Sequence, residues 1–350
     1  MSSPHAHARG IMFSVSLSEI LETMNLKMPS NEGVLNFELT GFSSLDQAGM
    51  HDVSFWTGDA KTETGLAGNA GGVSASAFAG VTAGLLFVPS LYEKYCVDGR
   101  SELLPNVHFV CPVESPYHAM VTFMKEFVER REVFEEAKIA ASAQVHASAV
   151  VEGVVGENAI IGPNCVVMKG ATIGAGTILE ANVTVYPRVT IGEDCVFQAG
   201  VVVGPRGFGF YEYEGKRCMV PHLAGVRIGN RCSFSANDVV AAGFVSPTVI
   251  GDDCHFDTFV QVAHNCRLGN NIMMASQSGV AGSVIMEDDV EFAGGVQSAG
   301  HLTIGKGVKV AAKAGVTKSL KAGKVYAGYP AEEIDVWRRS VVKLRMMGKK

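Results

Sequence analysis

Ten histidines and eight cysteines are the side chains of this 350-residue sequence best suited to proton transfer, nucleophilic attack or metal binding. His264 stands in the run VAHNC and His301 in SAGHLTIG. Histidine exchanges its ring proton near neutral pH, so either residue can act as a base, an acid or a ligand. Taken alone, a histidine of this kind is more often a packed surface side chain. His5, His7, His51, His108, His118, His146, His222 and His255 have no neighbours that single them out. The cysteines show neither a CxxC pair nor zinc spacing, so no metal site is expected from them.

These residues must be positioned by a repeat. From Val155 an aliphatic or aromatic residue falls on every sixth position: Val155, Ile161, Val167, Ile173, Leu179, Val185, Ile191, Phe197 and Val203. The series resumes at Ile228, Phe234 and Val240, then runs from Ile250 to Val316, broken only at Ser298. Neither a helical period of 3.6 nor a strand period of 2 fits that spacing. A solenoid does: each hexad makes one short face, three faces close a triangular coil, and the marked residue points inward. Cys165, Cys195, Cys232, Cys254 and Cys266 each follow a marked residue by four places, which assigns them to packing in a narrow slot. Eighteen residues make one coil, so Gly282 stacks beside His264 and His301 lies about two coils on.

The period is absent from residues 13–115. SLSEILETMNL opens there as an N-capped helix, and GLLFVPS and VHFVCPV read as buried strands, giving a small α/β domain. PYHAMVTFMKEFVER begins a connecting helix assigned to 116–139, its Met and Phe stripe read as core. The coils then occupy 140–330, and a helix over 331–350 is expected to cap them. Residues 1–12 read as a flexible lead-in with no apolar signal core. Between Val203 and Ile228 the hexads are interrupted by PRGFGFYEYEGKRCMVPHLAG, where Phe208 and Phe210 either line a substrate groove or seal the loop. A net charge of -6 argues against sequence-independent nucleic-acid binding, and no apolar run is long enough to span a bilayer. Cytoplasmic residence is the default expectation.

The stretches GPRGFGF, VPHLAGVRIGNR, FDTFVQVAHNC, GVAGS, SAGHLTIG and GVTKSLKAGKVYAGYPAEEIDVWRR resemble the UDP-3-O-acylglucosamine N-acyltransferase family of lipid A biosynthesis. The resemblance implies a mainly β fold, a left-handed parallel β-helix of hexapeptide repeats with a small N-terminal α/β domain of uridine-binding type and a C-terminal α-helix. It also implies a homotrimer and an acyl carrier protein whose 4'-phosphopantetheine carries the 3-hydroxyacyl donor, with no separate cofactor and no metal. By the same resemblance His264 is the general base, Asp257 the carboxylate that orients it, and the Gly282 N–H the oxyanion donor. His301, and in the N-terminal domain Phe55 and Trp56, are matched to substrate binding. Arg338, Arg339, Lys343 and Arg345 are matched to docking of the acidic carrier protein, although charges on a solvated helix end explain them equally well.

Some positions depart from the family pattern. Ala241-Ala242-Gly243 stands where an Asp-Arg-Gly triplet is usual, Thr258 replaces an Asn, and Gly58 falls within the segment expected to hold uracil. Alternative readings are a related O-acyltransferase, a CoA-dependent N-acetyltransferase, a zinc-dependent β-helical carbonic anhydrase, and a non-catalytic paralogue used as a scaffold.

Overall fold

A computed structural model describes residues 13–57, 80–328 and 334–348. The expected lead-in over 1–12, Gly58 and the start of the terminal segment at 331–333 lie outside the described residues. The hexads form a parallel β-helix. Its three faces are parallel sheets of nine, ten and nine two- to three-residue strands, beginning at Lys138–Ile139, Gln144–Val145 and Val150–Val151. Uninterrupted coils pair at a register of eighteen residues, as in Val167 with Val185 and His255 with Met273. The marked residues fill one core from Val155 to Val316. Inside it Phe197, Phe234 and Phe256 stack coil on coil, with ring centroids 4.8 and 4.6 Å apart. Truncating Phe234 to alanine would remove the middle ring and cost about 3–5 kcal/mol.

A second six-residue period lies at the corners. Left-handed backbone recurs at Asp253, Phe259, Asn265, Asn271, Gln277, Ser283 and Asp289, continues at Gly295 and reaches His301, with φ between 56° and 70°. Asn, Asp and Gly tolerate this region because a short polar side chain can bond locally and glycine has no Cβ. Phe259 and Gln277 hold it without that advantage, and His301 adopts it as well.

The cysteine slot has a polar use as well as a steric one. Cys195, Cys232 and Cys254 each donate their thiol to a carbonyl of the next coil, at Gly229, Gly251 and Gly269, all at 3.2 Å. Thr177 does the same to Gly192 at 2.9 Å. All eight cysteines are free thiols. Ser298 keeps its place in the inward column between Val280 and Val316, but its buried hydroxyl has no partner.

The N-terminal unit is a four-stranded parallel sheet of Gly41–Phe42, Asp52–Phe55, Ala83–Pro89 and Val107–Val113. The helix Leu17–Thr23 is capped by the Ser16 hydroxyl, which accepts from the Glu19 N–H. The connecting helix is shorter than its sequence pattern suggested: Pro116–Phe123 is α-helical and Met124–Glu129 forms a π-helical turn. Its Met120, Phe123, Met124, Phe127 and Val128 are buried, as expected of a core stripe. The chain then reaches the first solenoid strand two residues before the expected start. Glu132 anchors this link to the coil corner at Arg188, whose Nε donates to Glu132 Oε1 at 2.7 Å.

The inserted segment forms a hairpin of Phe210–Tyr213 and Lys216–Met219 that leans on the connecting helix. The Tyr213 ring stacks on His118 at 3.6 Å, and Tyr211 Oη lies 2.8 Å from His118 Nδ1. Burial pushes the Tyr211 phenol up to about 12. The C-terminal helix Ile334–Met347 is present but does not close the prism within one chain, because Ile334, Val342, Leu344, Met346 and Met347 are exposed. No helix among the described residues is long and apolar enough to cross a membrane.

Candidate active site

A cavity of about 330 Å³ lies where the N-terminal sheet, the inserted loop and one solenoid corner meet. Ser44, Phe55, Thr57 and Tyr117 line it from the first, Phe208, Phe210, Val220 and His222 from the second. Phe244, Val245, His264, Asn265 and His301 complete it from the third.

His264 follows the strand Gln261–Val262, where the chain turns the corner. Its Nδ1 lies 3.2 Å from Asn265 Oδ1. The Asn265 carboxamide is held in one orientation: Nδ2 donates to the Ser246 carbonyl at 3.0 Å, and Oδ1 accepts from the Phe244 N–H at 3.1 Å. An oxygen so fixed can only accept from the imidazole, so Nδ1 carries the hydrogen and Nε2 is left with its lone pair. Asn265 sits in the left-handed corner conformation, φ 60°, that turns its side chain back to this task.

The coil count that paired His264 with Gly282 matches the geometry. A Cβ placed on Gly282 would stand 2.6 Å from His264 Cε1 and 2.7 Å from Nε2, so only glycine lets the ring lie against this backbone. His301 donates its N–H to the Gly282 carbonyl at 3.0 Å and brings a second imidazole to the same cavity. No partner for the Gly282 N–H occurs among the described residues.

Asp257 is placed elsewhere. Its carboxylate accepts from the Thr258 N–H at 2.8 Å and the Ser276 N–H at 3.1 Å, in a separate surface groove with His255, Met273, Glu291 and Lys309. A spacing of seven carries the chain to the next corner of the triangle, whereas stacking requires eighteen. Within one chain the orienting group of His264 is therefore Asn265, not Asp257.

The two aromatic candidates of the N-terminal sheet part company. Phe55 lines the cavity, edge-on to Tyr117 at 5.5 Å. Trp56 points to the opposite side of the sheet, 5% exposed and against Tyr92, because successive strand residues face opposite ways. It does not reach the cavity. Phe208 and Phe210 stand at the rim as an edge-to-face pair 5.2 Å apart, and Phe208 is 87% exposed. Arg338, Arg339, Lys343 and Arg345 are exposed on the terminal helix, Arg338 3.6 Å from Asp335.

His222, like Asn265, is a residue of the site that the sequence did not single out. It is buried, its ring centroid 4.7 Å from that of His264, and its Nδ1 donates to the Val220 carbonyl at 3.2 Å. Burial, and then the neighbouring His264, push it down to about 4, so it is a neutral imidazole at working pH. Gly207 of the inserted loop presses on both rings and Gly209 on His222: a Cβ on Gly207 would lie 2.7 Å from His264 Cβ and 2.9 Å from His222 Nε2. The signal was present in VPHLAG, which places a histidine inside a motif of the inserted loop. No cluster of three metal-ligating side chains occurs among the described residues.

Residues 153–187 and 170–205 match the family model described as bacterial transferase hexapeptide (six repeats). A UDP-3-O-acylglucosamine N-acyltransferase of Rickettsia bellii is 47% identical over 148 residues, 42% of this chain and 43% of that protein. A second enzyme of that name, numbered 2, from Legionella pneumophila (strain Philadelphia 1) is 48% identical over 138 residues, 39% of this chain and 40% of its own. The solved UDP-N-acetylglucosamine acyltransferase of Francisella novicida overlaps 58% of this chain and 73% of its own at 23% identity, with a TM-score of 0.45. Each curated match spans less than half of the relative's length. The repeat and the three-faced prism make this a hexapeptide-repeat β-helix protein. Over about two fifths of its length the chain is similar to enzymes named UDP-3-O-acylglucosamine N-acyltransferase.

Proposed function

We propose that this protein is an N-acyltransferase that moves a 3-hydroxyacyl chain from the phosphopantetheine thioester of acyl carrier protein to the 2-amine of UDP-3-O-acylglucosamine in lipid A synthesis. The observation that carries this reading is the His264 imidazole, held as the Nδ1–H tautomer by Asn265, with Nε2 against the Gly282 backbone in a cavity.

The amine attacks the thioester carbonyl as His264 Nε2 accepts its proton. The negative charge gathers on the carbonyl oxygen, where the Gly282 N–H is available to donate. Collapse expels the phosphopantetheine thiolate, which takes the proton from the imidazolium and leaves as thiol. His222, kept neutral, adds no competing positive charge beside the base. His301 and Phe55 hold the acceptor, and Phe208 and Phe210 offer apolar surface to the acyl chain at the rim.

The working assembly in this reading is a cytoplasmic homotrimer. Asp257 can then reach a His264 only from another subunit, while Arg338, Arg339, Lys343 and Arg345 receive the acidic carrier. Mass spectrometry of the product from UDP-3-O-acylglucosamine and a mixture of 3-hydroxyacyl carrier proteins tests the assignment. One added hydroxyacyl amide is expected; transfer only from acetyl-CoA would overturn it.

A further inference from the structure

Buried hydroxyls nearly always have a hydrogen-bond partner, and an exception calls for an explanation. Among the described residues three buried side-chain polar atoms have none: Thr57 Oγ1, Asp238 Oδ2 and Ser298 Oγ. Ser298 belongs to the inward column of the prism, and Asp238 is 1% exposed with its other oxygen accepting from the Val260 N–H at 2.7 Å. Thr57 alone of the three lines the cavity that holds His264. It lies two residues after Phe55, which lines the same cavity, while Trp56 between them packs on Tyr92 and does not reach it. Of the other hydroxyl side chains on that wall, Ser44 is engaged, since its Oγ accepts from Ser246 at 2.7 Å, and Tyr117 is not free either. His264 and His301 line the same cavity from the solenoid. The cavity therefore has aromatic lining, imidazoles and one buried hydroxyl without a partner.

We infer that Thr57 is a further substrate-binding residue, and that its hydroxyl bonds a non-reacting polar group of the acceptor's nucleotide-sugar head. This rests on the functional reading above. A neutral hydrogen bond made only with bound acceptor contributes equally to the ground and transition states, so its loss appears in KM and leaves kcat alone.

The test compares wild type, Thr57→Val and Thr57→Ser by calorimetric titration with UDP-glucosamine and with UDP, alongside kcat and KM for acyl transfer. Thr57→Val is isosteric and removes a buried unpaired hydroxyl, so its melting temperature should not fall. It should weaken UDP-glucosamine binding and raise the acceptor KM by about three- to tenfold with kcat unchanged. Thr57→Ser should stay within about twofold of wild type, being able to make the same bond. Normal binding by wild type with equal binding by Thr57→Val would overturn the inference and leave the functional reading standing. Wild type that binds neither probe would overturn both. A melting temperature lowered in step with affinity would make Thr57 a structural residue instead.

Discussion

Gly282→Ala is the sharpest probe of how the solenoid aims its base. Gly282 is not in left-handed backbone, so alanine meets no conformational penalty there, and its effect is steric alone. The new methyl would lie 2.6 Å from His264 Cε1, where ordinary contacts are 3.4–4 Å. The imidazole must therefore retreat by roughly 1 Å, or the coil must part by as much. Misplacing a catalytic group by that distance costs on the order of 100-fold in rate. Overpacking costs about 1–3 kcal/mol of stability, less where a half-buried ring can swing outward. The assay is kcat for acyl transfer beside circular dichroism and a thermal melt. The expected result is a drop in kcat of about 100-fold in a folded protein with near-normal acceptor KM. Activity within threefold of wild type would refute the claim that His264 works against this backbone.

Asn265→Ala should lower kcat at least about tenfold, because it frees the His264 tautomer as well as the Phe244 N–H. Mixing inactive His264→Ala and Asp257→Ala subunits, followed by reassembly, should restore part of the activity if carboxylate and base come from different subunits; no recovery would remove Asp257 from the site. Burial pushes the Asp238 carboxyl up to about 7, so the folded state holds a proton that the unfolded chain has already lost. Its stability is full at low pH and falls as pH rises from the usual carboxylate range to about 7. Asp238→Asn should lack that fall and gain over wild type by at most roughly 4 kcal/mol at pH 8, read by urea denaturation at pH 4 and 8. Ser298→Val should stabilise by about 1–2 kcal/mol in the same assay, since it removes an unpaired hydroxyl and matches Val280 and Val316 in its column.

The solenoid was legible because its period is a packing rule: every inward position must be apolar, and eighteen residues must return the chain to its starting corner. That count was enough to place Gly282 on His264 and to assign the cysteines to a narrow slot. It could equally have shown that Asp257 cannot stack on His264, since seven is not a coil. Asn265 escaped notice because its role depends on a left-handed corner turning the side chain back, and φ is not written in a spacing. His222 escaped because the inserted loop has no period, and only folding brings its histidine against another 42 residues away in sequence. Trp56 was misplaced for a simpler reason: in a strand it cannot share a face with Phe55. The replacement of an Asp-Arg pair by Ala241 and Ala242 has a local counterpart, since both are buried and Ala242 donates its N–H to Pro205 at the base of the inserted loop.

In the proposed mechanism His264 takes the proton of the attacking amine. The most direct measurement is single-turnover transfer from 3-hydroxyacyl carrier protein to UDP-3-O-acylglucosamine by wild type and by His264→Ala, each verified as folded, with and without added imidazole. Transfer by wild type, loss of at least about 100-fold in the variant and partial recovery with imidazole are expected. Equal rates in the two proteins, or no transfer by wild type, would contradict that mechanism.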